Sequence, residues 1–164
     1  MARVVLVGLP GVGKSTIGRL VAEALGETFV DTDELFTLTY GETPAAVLRR
    51  DGDELFRARE FDVVETALGE SGVVATGGGV VTTPPARALL QAHGHVVWLT
   101  ADVHVLATRV AEGDRPLLGL EPTTALHELA ERRAPWYAAV ANETVSAEGP
   151  ITDVVARVLA AVQG

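Results

Sequence analysis

The chain has 164 residues, 48% of them apolar, with a mean hydropathy of +0.26, which suits one compact domain with a real core and excludes disorder. A formal charge of −9 and a pI near 4.8 argue against the concentrated Lys and Arg surface that binds nucleic acid, so no nucleic-acid partner is expected. Without cysteine there are neither disulfides nor thiolate metal sites, and no apolar run nears the roughly 20 residues of a membrane helix, so a cytoplasmic protein without membrane contact is expected.

The first predicted element is the β-branched run Val4 to Val7, a strand. It leads into Gly8-Leu9-Pro10-Gly11-Val12-Gly13-Lys14-Ser15, a complete Gly-x-x-x-x-Gly-Lys-Ser loop. Behind the loop, Ile17, Leu20, Val21, Ala24 and Leu25 follow a helical rhythm. Strand, loop and helix in that order give the pattern its meaning as a phosphate cradle. Its glycines let consecutive N–H groups wrap phosphate oxygens at the positive end of the helix dipole. Gly11, Val12, Gly13, Lys14, Ser15 and Thr16 are therefore the expected nucleotide-binding set. Lys14 would reach the β- and γ-phosphates, and the Ser15 hydroxyl would ligate Mg²⁺.

Gly26 is the expected stop of that helix, and the run Thr28 to Asp31 is the second strand. It ends in Asp31-Thr32-Asp33. Ligands of open α/β sheets sit at the carboxyl ends of strands, where both the phosphate loop and these aspartates fall. Asp31 could hold Mg²⁺ through water and Asp33 could accept hydrogen bonds from a substrate hydroxyl; alternatively, one of them caps a helix beginning near Glu34. From Asp31 to about Ala67 only helical pattern follows, punctuated by Gly41 and Gly52, with Thr43 as N-cap and Pro44 as first helical residue. This predicts a helical insertion beside the sheet. Within it, Arg57 can pair with Asp53 or Glu60, and a solvated arrangement is the default for such a helix.

The third strand, Val73 to Ala75, is followed by Thr76-Gly77-Gly78-Gly79. Three glycines are poor strand material but let a ligand approach bare backbone N–H groups, a merely tight turn being the alternative. Val96 to Leu99 is the fourth strand, and Asp102 is the expected cap of the helix carrying Val103, Leu106, Ala107 and Val110. Glu112 to Pro122 is too long for a simple turn and reads as a lid, in which Arg115 would close over phosphates. Arg133, in Arg132-Arg133-Ala134-Pro135-Trp136-Tyr137, could be a surface charge, but two arginines brought together suit a carboxylate. Thr144 to Ser146 is the fifth strand, and Ile151, Val154, Val155, Val158, Leu159 and Val162 form the apolar stripe of the last helix. His93, His95, His104 and His127 lack metal-ligand spacing and are expected at the surface. The alternation of strands and helices predicts a parallel sheet covered on both faces.

Taken in order and spacing, the phosphate loop, Asp31-Thr32-Asp33, Phe56-Arg57-x-x-Glu60, Thr76-Gly77-Gly78-Gly79, Arg115-Pro116-Leu117-Leu118 and Arg133-x-x-x-Tyr137 resemble the shikimate kinases over essentially the whole chain. The resemblance implies an α/β P-loop NTPase fold of the nucleoside-monophosphate-kinase type: one domain over 1–164, with a five-stranded parallel sheet, a substrate-binding region at about 32–66 and a lid at about 112–122. It implies Mg²⁺-dependent transfer of the ATP γ-phosphate to the 3-hydroxyl of shikimate, in chorismate and aromatic amino acid biosynthesis, by a monomer. By the same resemblance Lys14, Asp33 and Arg115 are catalytic, and ATP is bound by Gly11 to Thr16 and Arg115. Shikimate is bound by Asp33, Arg57, Gly77, Gly78, Gly79 and Arg133, and the metal by Ser15 and Asp31.

Two stretches depart from the family pattern. Pro44 and Leu48 stand where relatives commonly have isoleucine and phenylalanine, and Ala147-Glu148-Gly149-Pro150 lacks the basic residue often found near the adenine. A related kinase for a sugar acid or nucleoside monophosphate would share the phosphate loop without needing Arg57, Arg133 and the glycine triplet together. A guanine-nucleotide switch is disfavoured, because neither an Asn-Lys-x-Asp nor an Asp-x-x-Gly motif is present.

Overall fold

The computed structural model describes residues 2–70, 72–93, 95–111 and 121–163. Five strands form one wholly parallel sheet: β1 (Val4–Val7), β2 (Phe29–Asp31), β3 (Val73–Ala75), β4 (His95–Thr100) and β5 (Glu143–Ser146), in the spatial order β2-β3-β1-β4-β5. The strand residues of β1 are fully buried, as its uninterrupted β-branched sequence requires of a central strand covered on both faces. Its register sets Leu6 beside Ala75 of β3 and Val97 of β4, while Asp31 of β2 also pairs with Ala75. The carboxyl ends of β2, β3 and β1 are thereby side by side. The aspartate pair, the glycine triplet and the phosphate loop must therefore share one rim of the sheet.

Helix α1 (Lys14–Leu25) follows the phosphate loop and stops at left-handed Gly26. Its buried face is Ile17, Gly18, Val21 and Ala22, which corrects the expected stripe: Leu20 and Ala24 are exposed. The reason is a close approach at Gly18, where a Cβ would lie 2.6 Å from the Phe29 ring, rotating that face of the helix onto β2 and β1. The strandless stretch forms α2 (Thr32–Tyr40), α3 (Pro44–Asp51) and α4 (Asp53–Gly69), with Thr43 capping α3 as its sequence demands. These helices carry a small core of their own, Phe36, Val47, Phe56 and Val63, separate from the main sheet core. The Phe36 and Phe56 rings meet at 5.6 Å, and burying each is worth about 1.5–3 kcal/mol.

A 3₁₀ turn (Val80–Thr82) and α5 (Pro84–Ala92) follow β3, α6 (Val103–Ala111) follows β4, and α7 (Pro122–Val140) returns the chain to β5. Asp102 accepts from the His104 N–H at 2.8 Å, the expected cap of α6. The last helix, α8 (Ile151–Gln163), buries Val154 and Val158 on the core, while Ile151, expected in that stripe, is exposed at the first turn. His104 and His127 are exposed as expected, but His93 and His95 are half-buried near the start of β4. Among the described residues no helix is long and apolar enough to cross a membrane. Of the lid expected at about 112–122, residues 112–120, with Arg115, lie outside the described residues, while Glu121 and Pro122 instead cap and open α7, as Pro at a first helical position favours.

Candidate active site

Gly8, Gly11 and Gly13 all adopt positive φ, which curls the chain after β1 into a ring that opens on the first turn of α1. Gly13 is the N-cap and offers no side-chain acceptor, so the helix begins with backbone donors directed at the loop. Lys14 is buried, and its ammonium donates to the carbonyls of Gly8 at 2.5 Å and Leu9 at 3.1 Å, which sets the charge inside the ring. The loop is also held from outside by Arg109 of α6, which no local sequence pattern singles out. Its guanidinium donates to Gly11 O at 3.3 Å, Val12 O at 3.2 Å and Ala147 O at 3.3 Å, tying the phosphate loop to the turn after β5.

Asp31 serves two elements at once. One carboxylate oxygen accepts from the backbone N–H groups of Asp33 at 2.8 Å and Glu34 at 3.3 Å, capping α2, which begins at Thr32. The other accepts the Ser15 hydroxyl. A hydroxyl and a carboxylate at the mouth of the phosphate loop are hard oxygen donors of the kind Mg²⁺ takes. Among the described residues no group of three or more His, Cys, Asp or Glu could hold a metal ion.

Across the rim, the glycine triplet is explained by space rather than by unusual dihedrals, since none of its members has positive φ. A Cβ on Gly77 would lie 3.0 Å from Asp33 Oδ1 and 3.3 Å from Glu60 Oε2. One on Gly78 would lie 2.9 Å from Pro10 of the phosphate loop, and one on Gly79 would overlap the Arg57 guanidinium, 2.7 Å from Nη1. The triplet thus gathers Asp33, Glu60, Arg57 and the phosphate loop around its own backbone.

Arg57 is not on a solvated face, contrary to the default for an isolated helix. It donates through Nη1 to Glu60 Oε1 at 2.8 Å, while its Nε is buried without a hydrogen bond and lies 3.5 Å from Asp53. The side chains of Arg57 and Glu60 are 13% and 9% exposed, so this pair belongs to the interior of the site. Burial raises the Glu60 carboxyl above its ordinary range, against the opposing pull of Arg57, with Asp33 adding to the rise and Arg133 reducing it. Four charged groups from α2, α4 and α7 therefore act on one small volume.

Arg133 of α7 is half-buried while its neighbour Arg132 is exposed. One helical turn further, Tyr137 is buried and donates its hydroxyl to Gly78 O at 2.5 Å. Burial pushes this phenol up to about 12, against the influence of Arg133 and Arg57. An apolar cavity of about 110 Å³ between the end of β4 and helices α6 and α7 touches Leu9 and Tyr137 but includes none of Asp33, Arg57 or Arg133. It is thus not the polar cluster described above.

The family model for shikimate kinase matches residues 10–163. The chain belongs to the shikimate kinase family. It is 42% identical to a shikimate kinase of Symbiobacterium thermophilum over 98% of this chain and 95% of that one. A shikimate kinase of Streptomyces avermitilis is 44% identical over 90% of this chain and 86% of its own length. Among solved structures, Acinetobacter baumannii shikimate kinase in complex with shikimate superposes with a TM-score of 0.92 at 34% identity, covering 98% of this chain and 92% of that one. The fold is accordingly that of a P-loop kinase, with the five-stranded parallel sheet expected from the alternation of strands and helices.

Family membership leaves Glu60 with a stability signature of its own. Its folded-state proton affinity is raised above the ordinary 4.5, so the native chain binds more protons than the unfolded chain as pH rises past that value. Stability associated with Glu60 is then greatest at acid pH and falls as pH rises through the raised value. Glu60→Gln removes the titration. In denaturant unfolding without ligands, the stability of the native chain minus that of Glu60→Gln is expected to decline from pH 4.5 towards neutrality. A flat difference would show that burial does not raise this carboxyl.

Proposed function

We propose that this site transfers the γ-phosphoryl group of ATP to the 3-hydroxyl of shikimate, giving shikimate 3-phosphate and ADP in chorismate and aromatic amino acid biosynthesis. The observation that carries the reading is the meeting of Asp33, Arg57 and the glycine triplet beside the phosphate loop, with Arg57, Asp33 and Arg133 all close enough to act on the Glu60 carboxyl. A family of this name and a polyol acid acceptor fit that mixture of two guanidinium groups with the Asp33 carboxylate beside the Arg57–Glu60 pair.

Backbone donors from Gly11 to Thr16 and the Lys14 ammonium hold the phosphates, and Ser15 with Asp31 would hold Mg²⁺. Mg²⁺ held there would supply neutralisation of the phosphate charge. Arg57 and Arg133 bind the shikimate carboxylate, each able to donate two parallel hydrogen bonds. This anchors the ring so that the 3-hydroxyl faces the γ-phosphorus, with Gly77, Gly78 and Gly79 lending backbone contacts. The hydroxyl oxygen forms the new bond to phosphorus as the bond to the bridging β–γ oxygen breaks, and Asp33 accepts the hydroxyl proton. Alignment and charge neutralisation supply most of the rate, so a carboxylate base of ordinary strength suffices. Arg115 is assigned to the phosphates by resemblance alone. A cytoplasmic monomer is part of the proposal; every residue assigned a role lies in one chain.

A coupled assay of ADP release tests the substrate assignment, with shikimate present, omitted, or replaced by gluconate or AMP. Turnover should require shikimate, and equal or faster turnover with gluconate or AMP would overturn the assignment. The glycine triplet gives a finer test. Gly79 has an ordinary φ of −95°, so Gly79→Ala strains no backbone but displaces the Arg57 guanidinium. The KM for shikimate should rise by about 10-fold or more, as for loss of a hydrogen bond to a charged group, with the KM for ATP unchanged. An unaltered shikimate KM would place the carboxylate away from Arg57.

A further inference from the structure

Tyr137 occurs in the motif that marks the family resemblance, yet no role in the reaction above falls to it. Its ring is 1% exposed and stacks on Trp98 of β4, with centroids 5.6 Å apart and an interplanar angle of 29°. That packing needs only an aromatic ring. The hydroxyl does something else: it donates to Gly78 O at 2.5 Å, 59 residues away in sequence. Arg133 lies one turn before Tyr137 on the same face of α7, and the charge of its guanidinium acts on the phenol. A phenol donates one proton and leaves its lone pairs to a nearby cation, so one hydroxyl can hold the Gly78 carbonyl and face the Arg133 guanidinium. Gly78 in turn packs against Pro10, close enough that a Cβ there would lie 2.9 Å from the proline ring.

We propose that the Tyr137 hydroxyl is a positioning residue for the acceptor: it fixes Arg133 and the Gly78 backbone relative to each other, and through Pro10 relative to the phosphate loop. This deepens the reading of the site as a shikimate kinase and rests on it. Burial keeps the phenol protonated up to about 12, so the donated hydrogen bond persists across the working pH range. Phenylalanine preserves the ring and its stack on Trp98 and removes the hydrogen bond to Gly78 and the oxygen that faces Arg133.

The test compares wild type, Tyr137→Phe, Arg133→Ala and the double variant by steady-state kinetics, with each substrate varied in turn. Tyr137→Phe should raise the KM for shikimate by about 10-fold, the scale of one well-placed hydrogen bond, and move the KM for ATP less than about two-fold. In the double variant the KM should fall clearly short of the product of the two single effects, because Tyr137 acts partly through Arg133. The KM values do not depend on the fraction of folded enzyme, so partial unfolding of a variant would not mask the result. An unchanged shikimate KM, equal shifts in both KM values, or a fully multiplicative double variant would each overturn the proposal. Wild-type turnover of shikimate in the same series reports separately on the function itself, since the proposal is read only from ratios to wild type.

Discussion

Asp33→Asn is expected to lower kcat for shikimate phosphorylation by roughly 10²- to 10⁴-fold, the range of general acid–base catalysis, while the affinity for ATP stays within about a factor of two. Asparagine preserves the size of the side chain and its place against Gly77 but cannot take the hydroxyl proton. The capping of α2 belongs to Asp31, so the helix that carries residue 33 is not disturbed by the change. The proposed ATP site is on the other side of the rim, at the ring closed by Lys14, Gly8 and Leu9. Steady-state kinetics with nucleotide binding measured by calorimetry separates the two effects. Turnover near the wild-type rate would remove Asp33 from the chemistry.

Arg57→Ala and Arg133→Ala should each weaken shikimate binding by about 10- to 150-fold, the cost of losing charge-assisted hydrogen bonds of about 1.5–3 kcal/mol. An exposed ion pair would give far less, about 0–1 kcal/mol. The two variants should differ in stability. Arg57 is paired with buried Glu60, so its removal strands a carboxylate that must take up a proton or remain uncompensated. Arg133 has a weaker hold on the same carboxyl and should leave the unfolding midpoint nearly unchanged. Calorimetric titration of shikimate together with thermal unfolding checks both halves. Unchanged dissociation constants for both variants would dismiss the carboxylate clamp.

The sequence disclosed whatever is local. The phosphate loop, the left-handed stop at Gly26, the Thr43-Pro44 cap and the β-branched strands each depend on a few adjacent residues, and each forms as expected. The rim of the site was legible at one remove, because ligands of open α/β sheets sit at the carboxyl ends of strands, whereas the order β2-β3-β1-β4-β5 that sets the three loops side by side does not follow from alternation alone. Burial of charge was not legible. Arg57 and Glu60 have the spacing of any surface pair on a helix, and the close approach of Gly77 to Glu60 and of Gly79 to Arg57 makes them interior. Helix α4 buries Glu60 on the same face as Phe56, Val63 and Ala67, so apolar periodicity does not mark that face. Arg109 and Tyr137 contact loops 97 and 59 residues distant, and nothing near them in sequence announces those partners.

The most direct measurement is a crystal structure of the chain with shikimate and ADP. The shikimate carboxylate should lie between Arg57 and Arg133, with the 3-hydroxyl within hydrogen-bonding distance of Asp33 and the ring over Gly77 to Gly79. Shikimate seated elsewhere, for example in the apolar cavity between β4 and helices α6 and α7, would contradict the assignment of this cluster as the acceptor site.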